Sequence, residues 1–335
     1  MKVYIYSGMQ KMIEKSGVGR AIYHQRFAAN QNKIGLAKGL EDADIVHINT
    51  VFPRSLGLAR KAKKMGIPVV YHAHSTREDF RNSYIGSNLL APLFGKWIRH
   101  CYDTGTAIVT PTEYSKRLLL SYGIEKPIEA VSNGVDLTFY DRRKVDRTSF
   151  RQKYGYRETQ KIIMSVGLTI NRKGVSDFVE LAKRMPEYQF IWFGETDLNT
   201  VPPSTRKAVR TKLPNLRFAG YAKPKDLREA YGSCDLFLFP SKEETEGIVV
   251  LEALAMKIPI LLRKIPVYDD WLKENEDVYK AGDIDDFEFK AREILEHRLP
   301  DLTDAGHQVV ENRSLDKIGM RLGEIYMRCL KKNMG

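Results

Sequence analysis

Cysteine is scarce in this chain. Cys101, Cys234 and Cys329 lie far apart and in no metal-ligand spacing. That excludes a disulfide framework or a zinc module and suits a reducing compartment. No apolar run approaches the ~20 residues that a membrane-spanning helix needs. With the first strand read from Lys2, no signal peptide is expected. Zinc-finger spacings and RNP sequences are absent, which argues against nucleic acid as a partner. The expected location is the cytoplasm, with or without peripheral attachment to the inner face of the cell membrane.

What is abundant is basic charge, and it is unevenly placed. The net charge is +12 over 335 residues. Residues 1–145 hold 22 Lys and Arg against 12 Asp and Glu, an excess of 10; the remainder holds 32 against 30. Such a bias implies an anionic partner: nucleic acid, an anionic membrane or an acidic substrate. With nucleic-acid motifs absent, a membrane is favoured, since each basic residue near an anionic leaflet contributes ~1 kcal/mol. The length allows two α/β domains, and 43% hydrophobic content is ordinary for a globular protein.

The stretch Pro240–Pro259, PSKEETEGIVVLEALAMKIP, organises the rest. Asp235–Phe239 reads as a strand buried on both faces, ended by Pro240 and Ser241. A polar loop follows. From Gly247 the pattern is helical, with Ile248, Leu251, Leu254 and Ala255 on one face. A loop entering a helix N-terminus at the carboxyl edge of a parallel sheet is a pyrophosphate site. Glu244 stands in the loop and Glu252 inside the helix. Carboxylates repel phosphate but accept hydrogen bonds from hydroxyls, so ribose and a hexose are their natural partners. A solvated acidic loop is the plainer alternative, because Glu243, Glu244 and Glu246 crowd together.

The Glu-x7-Glu pattern, after Pro-Ser and within Glu-Ala-x-Ala, resembles the donor-site signature of retaining glycosyltransferases of family 4. That family has the GT-B architecture, two Rossmann-like α/β domains facing a cleft. The resemblance covers nearly the whole chain. It implies an N-terminal acceptor and membrane domain over 1–145, joined by a final helix over 315–335 that crosses back. A nucleotide-sugar domain follows over 155–314. Residues 141–159, charged and without clear period, read as the linker.

Further motifs follow along the chain. Ser16-Gly-Val-Gly-Arg20 follows the first strand and opens a helix, so Gly17 and Gly19 let backbone N–H groups approach a ligand. The strand Val69–Tyr71 runs into His72-Ala-His74. The two histidines are read as pointing to opposite faces, so one is expected at the cleft. The family's strand-end histidine, which contacts the transferred hexose, aligns with His74. A paired-histidine metal site lacks a third ligand nearby. The family usually has Gly-Arg and then Lys-Gly at 167–174, cations that neutralise the donor diphosphate. Here Lys173 matches, Leu168 stands at the Arg position, and Arg172 is the substitute cation. Ser132–Asp136 and Gly220–Asp226 resemble further family loops, and Lys257 stands where Gly is common.

Two N-terminal stretches suit a membrane. A helix over about 55–65 carries Arg60, Lys61, Lys63 and Lys64. Residues 84–102 mix Leu93, Phe94 and Trp97 with Lys96 and Arg99, and Arg77 and Arg81 precede them. An ordinary core helix and a solvated basic face are the alternatives. Pro92 and Gly95 are expected to break the helical period.

The resemblance implies transfer of a hexose from UDP-hexose, galactose or glucose, with retention and with no metal or other cofactor. Lys173 and Arg172 would take the diphosphate, Glu244 the hexose and Glu252 the ribose, with Gly247 at the helix start. His74 and the Gly17–Gly19 loop would close the site. The whole pattern, with its short chain and basic N-terminal half, looks similar to bacterial glycolipid synthases that extend glucosyl-diacylglycerol. Alternatives are a transferase for cell-wall or capsular saccharide precursors, a sugar-nucleotide epimerase of the same fold, or a non-catalytic binding module.

Overall fold

Short strands that are apolar along their whole length cannot leave a face in water, so they need helices on both sides. The chain builds two such layered sheets. The computed structural model describes residues 1–9, 13–14 and 16–334. The first sheet comes from β1 (Lys2–Tyr6), α1 (Gly17–Gln31), β2 (Gly35–Leu36), β3 (Ile45–Ile48), α2 (Pro53–Lys64), β4 (Val69–His72), α3 (Arg77–Phe80), α4 (Ser87–Tyr102), β5 (Ala107–Thr110), α5 (Glu113–Ser121) and β6 (Ile128–Ala130). Its strands are all parallel, in the order β2-β1-β3-β4-β5-β6.

Next come α6 (Arg147–Tyr154), β7 (Ile162–Val166), α7 (Val175–Arg184), β8 (Gln189–Phe193), α8 (Pro203–Val209), β9 (Leu216–Gly220), α9 (Pro224–Ser233), β10 (Leu236–Phe239), α10 (Ile248–Ala255), β11 (Ile260–Arg263) and β12 (Tyr279–Ala281). This sheet is also parallel, in the order β12-β11-β10-β7-β8-β9. Three helices close the chain: α11 (Ile284–Leu295), α12 (Thr303–Glu311) and α13 (Leu315–Met334).

In each sheet the chain reverses its direction of travel once, between β1 and β3 and between β7 and β10. Loops at such reversals diverge and leave a crevice beyond the carboxyl ends of the strands. The two crevices face each other. The last helix belongs to the first body: Ile318, Leu322, Ile325 and Tyr326 of α13 pack with Val3, Ile5, Ile22 and Val70. Val135 joins it there, its N–H donating to Arg313 O at 3.0 Å and its carbonyl accepting from Leu315 N–H at 3.2 Å.

Three expectations are corrected. Residues 141–159 are not all linker, because α6 lies within them: Asp146 accepts from Ser149 N–H at 2.9 Å at its start, and Gly155 at φ +73° ends it. Pro92 and Gly95 do not break α4, which runs unbroken from Ser87 to Tyr102. The carbonyl that Pro92 leaves without a donor is that of Asn88, which is exposed and open to water. Finally, α10 is buried nearly all round rather than on one face.

Candidate active site

A cavity of about 880 Å³ lies between the two bodies and is lined by loops from both. From the second body come Gly167, Leu168, Arg172, Lys173, Glu244, Gly247 and Glu252. Gly17, Gly19, Arg20, His74 and Asp79 face them from the first. Two helix N-termini, of α1 and α10, open into it. Gly247 takes φ +90°, a backbone state that a side chain opposes, where it turns the chain into α10. Gly19 is required for another reason: a Cβ there would sit 2.4 Å from Ile13 O.

Glu244 is buried and central. It pairs closely with Lys173 Nζ, accepts Ser241 Oγ–H at 2.6 Å, and has Arg172 Nη1 at 3.9 Å. Burial alone would raise its carboxyl, but Lys173 and Arg172 overcome that and hold it below the usual range. Burial pushes Lys173 down, against the pull of Glu244. Leu168 lines the cavity without charge, and Arg172 brings the second cation. Its side chain is braced from both bodies: Nε donates to Ser83 Oγ at 3.1 Å and Nη1 to Glu243 O at 2.7 Å.

Glu252 is fully engaged. It accepts Tyr140 O–H at 2.7 Å, Tyr231 O–H at 3.1 Å and Arg20 Nε–H at 3.3 Å. Two of these donors are hydroxyls, the kind of donor a ribose would bring. Glu246 ties the bodies together instead, accepting from Asn133 N–H at 2.9 Å and Asn133 Nδ2–H at 2.7 Å. Glu243 accepts Tyr114 O–H at 2.9 Å, and burial raises it to about 7.

His74 sits at the wall of the cleft and is the outermost ring of a buried chain. His72 and His74 do not diverge; their rings stack with centroids 4.1 Å apart. Residues two apart in an extended chain share a face, and the two histidines differ in depth rather than direction. Asn49 Oδ1 receives Gln25 Nε2–H at 2.7 Å and His74 Nε2–H at 2.8 Å. Gln25 Nε2 also donates to His72 Nδ1 at 2.8 Å, which His47 Nε2 approaches to 3.2 Å. His47 Nδ1 in turn accepts Tyr326 O–H from α13 at 2.5 Å. With neutral rings the one lone pair of His72 Nδ1 is shared between Gln25 Nε2–H and His47 Nε2–H, and His72 Nε2 is buried with no partner among the described residues. Burial favours the neutral rings, lowering His47 and His74 to about 3 and His72 well below its ordinary value.

The membrane candidates divide. Leu93, Lys96 and Arg99 of α4 are exposed, together with Leu89 and Leu90. Arg60, Lys61, Lys63 and Lys64 are exposed on α2, and Arg60 reaches His100 Nε2 at 2.9 Å, so α2 and α4 lie side by side. Lys61 approaches Glu41 at 3.5 Å. Arg81 is exposed. Arg77 instead pairs with Glu78 at 2.8 Å and lies over Tyr122. Trp97 is half-buried and donates to Val51 O at 2.7 Å, while Phe94 stacks on Phe80. Sequence reasoning missed Tyr140, Tyr231, Glu246, Asn49, Gln25 and Asp79. Only the Asn-Gly turn at 133–134 was a local signal for any of these contacts.

Two parallel α/β domains with their carboxyl edges opposed, and a last helix returned to the first domain, define the GT-B class of glycosyltransferase. Comparison with known proteins then gives the family. "Glycosyltransferase Family 4" matches residues 16–139 and "Glycosyl transferases group 1" matches residues 146–312. The processive diacylglycerol alpha-glucosyltransferase of Acholeplasma laidlawii is 38% identical over 333 residues, 99% of either chain. The alpha-galactosylglucosyldiacylglycerol synthase of Streptococcus pneumoniae is 25% identical over 284 residues, covering 82% of this chain and 75% of that one. The crystal structure of Anabaena Alr3699/HepE in complex with UDP and glucose has the same fold, with a TM-score of 0.77 at 14% identity, over 98% of this chain and 100% of that one. The chain belongs to the family 4 glycosyltransferases and is similar to their glycolipid synthases. The epimerase and non-catalytic readings are thereby disfavoured.

Proposed function

We propose that this glycosyltransferase moves galactose or glucose from UDP-hexose to a membrane glycolipid, foremost glucosyl-diacylglycerol, with retention. The observation that carries this is one cleft with two kinds of wall. On one side two cations, Arg172 and Lys173, meet the N-terminus of α10. On the other the cleft reaches α4, whose outer face is apolar and bordered by the basic α2. The family relatives named above, synthases of glucosylated diacylglycerols, support the same reading.

In this reading the diphosphate lies at the start of α10, where free N–H groups and the helix dipole favour anions. Lys173 and Arg172 stabilise the charge that builds on it as the sugar leaves. Glu244 orders the hexose hydroxyls, and Glu252 exchanges its tyrosine donors for those of ribose. His74, neutral, borders the hexose. With the leaving group assisting front-face attack, no pair of carboxylates of the glycosidase kind is assigned. Since protein cations meet the diphosphate, no metal is required. The enzyme works at the cytoplasmic face of the cell membrane, held by α2 and α4.

The test is transfer of label from UDP-galactose and UDP-glucose to glucosyl-diacylglycerol in anionic and neutral vesicles, at low and high salt, with and without EDTA. Product from one donor, favoured by anionic vesicles, reduced by salt and indifferent to EDTA, is expected. Equal activity on soluble saccharides without vesicles would remove the lipid from the account.

A further inference from the structure

The segment from Ser75 through α4 both lines the cleft with Arg172 and Lys173 and carries the exposed apolar face. Asp79 lines the cleft. Its Oδ1 accepts Thr76 N–H at 3.2 Å, and its Oδ2 has no protein donor among the described residues. Arg172 and Lys173 act on it by charge across the cavity. Ser83 Oγ donates to Asp79 O at 2.9 Å while accepting from Arg172, so this segment and the donor cation are braced together. The neighbouring Phe80 stacks on Phe94 with centroids 4.3 Å apart. Both rings line the cleft, and both also line a shallow depression of about 580 Å³ on the surface. That depression continues over Leu90, Leu93 and Trp97 and is almost wholly apolar.

We propose that this segment is the acceptor site: Asp79 accepts a hydrogen bond from the reacting sugar hydroxyl, and Phe80 and Phe94 lead the acceptor's apolar tail out of the cleft onto α4. The proposal rests on the glycolipid reading above and specifies where that acceptor sits. A carboxylate oxygen without a protein donor among the described residues, in the same cleft as Arg172 and Lys173, suits a hydroxyl that becomes nucleophilic as the diphosphate departs. Two rings shared by both hollows form a continuous apolar path beginning beside that carboxylate. Its occupant is an alkyl or acyl chain joined to the acceptor sugar, because only such a molecule needs both ends at once.

The experiment uses the full-length protein, UDP-hexose and a series of alkyl β-glucosides from methyl to decyl, each below its micelle concentration and without vesicles. The wild type should gain in kcat/KM with chain length, by up to about fourfold per methylene buried in the depression. Phe94→Ser and Leu93→Ser should flatten that dependence. Asp79→Asn should lower kcat at least 30-fold with every acceptor, while the affinity for UDP measured by calorimetry stays within twofold. That unchanged affinity also shows that the variant is folded. A chain-length dependence untouched by Phe94→Ser, or an Asp79→Asn enzyme with wild-type kcat, would overturn the proposal and leave the glycolipid reading intact. Transfer to none of the glucosides, with full transfer to another saccharide, would overturn both.

Discussion

Lys173 and Glu244 are each held by the other, so removing one leaves an uncompensated charge in a buried place. The two are still not equivalent. In the proposed reading Lys173 faces the leaving group, where a lost donor costs about 10²–10³ in kcat. Lys173→Ala should show that loss in steady-state kinetics. Lys173→Arg should recover only part of it, because a planar fork does not replace a point charge. Lys257 offers a residue-scale test of stability alone. It adopts φ +50° at the end of α10, the region that glycine tolerates best, and the family commonly has glycine there. Its compensation is an exposed ion pair with Asp304 at 2.6 Å, of a kind worth little. Thermal unfolding should place Lys257→Gly within about 1 kcal/mol of wild type, while the β-branched Lys257→Val should lose about 1–2 kcal/mol.

At the scale of elements, function depends on joints rather than on single helices. Ser83 lies in the loop between α3 and α4, yet it positions Arg172 of the other domain. Ser83→Ala should therefore raise the KM for UDP-hexose severalfold and leave the melting temperature nearly unchanged. A change in melting without a change in KM would count against that role. α13 makes a second joint through Tyr326, whose hydroxyl meets the buried His47. Tyr326→Phe leaves a buried ring nitrogen without its donor, at a cost of about 1–3 kcal/mol in chemical denaturation. Third, α2 and α4 form one surface, basic beside apolar. Changing Lys61, Lys63 and Lys64 to Glu should abolish flotation with anionic vesicles while leaving rates on short soluble glucosides in place.

The whole molecule carries an acid sensitivity that follows from its buried histidines. His24, His47 and His74 are lowered to about 3, chiefly by burial, and His72 lies well below its ordinary value. A base whose folded value is depressed contributes stability that is whole above its unfolded value and is lost as pH falls. Asp79, raised to about 6, and Glu243, raised to about 7, act in the opposite sense, losing stability as pH rises through those values. Glu246, also raised by burial, acts with those two carboxyls; four histidines still outnumber three, so near pH 5.5 unfolding should take up about one to two protons, a slope of about 1–3 kcal/mol per pH unit. Urea denaturation from pH 7 to 5 should show stability falling at about that rate, and His47→Gln should reduce the slope by close to one proton.

Much of the donor half was legible in the chain because its signals are local. The apolar strand before Pro240, the loop with Glu244, Gly247 and the helix with Glu252 are contiguous, so the elements follow from local pattern, while their chemistry came from the resemblance to the family 4 signature. The two-domain α/β organisation likewise follows from short buried strands alternating with amphipathic helices. Asp146 and Gly155 marked a helix in the supposed linker and were readable caps. Other features only the tertiary structure decided. Arg20 meets Glu252 across 232 positions of sequence, and Tyr326 meets His47 across 279. No local pattern encodes such a meeting, because it depends on how two sheets and a returning helix pack. Asp79 carried no local signal of a place in the cleft, and packing alone put it there, joined to Arg172 through Ser83. The sequence by itself determined the elements and the donor motif, since these depend on neighbouring residues. The packing of distant segments decided which residues share the cleft, since only burial and charge across the two domains select them.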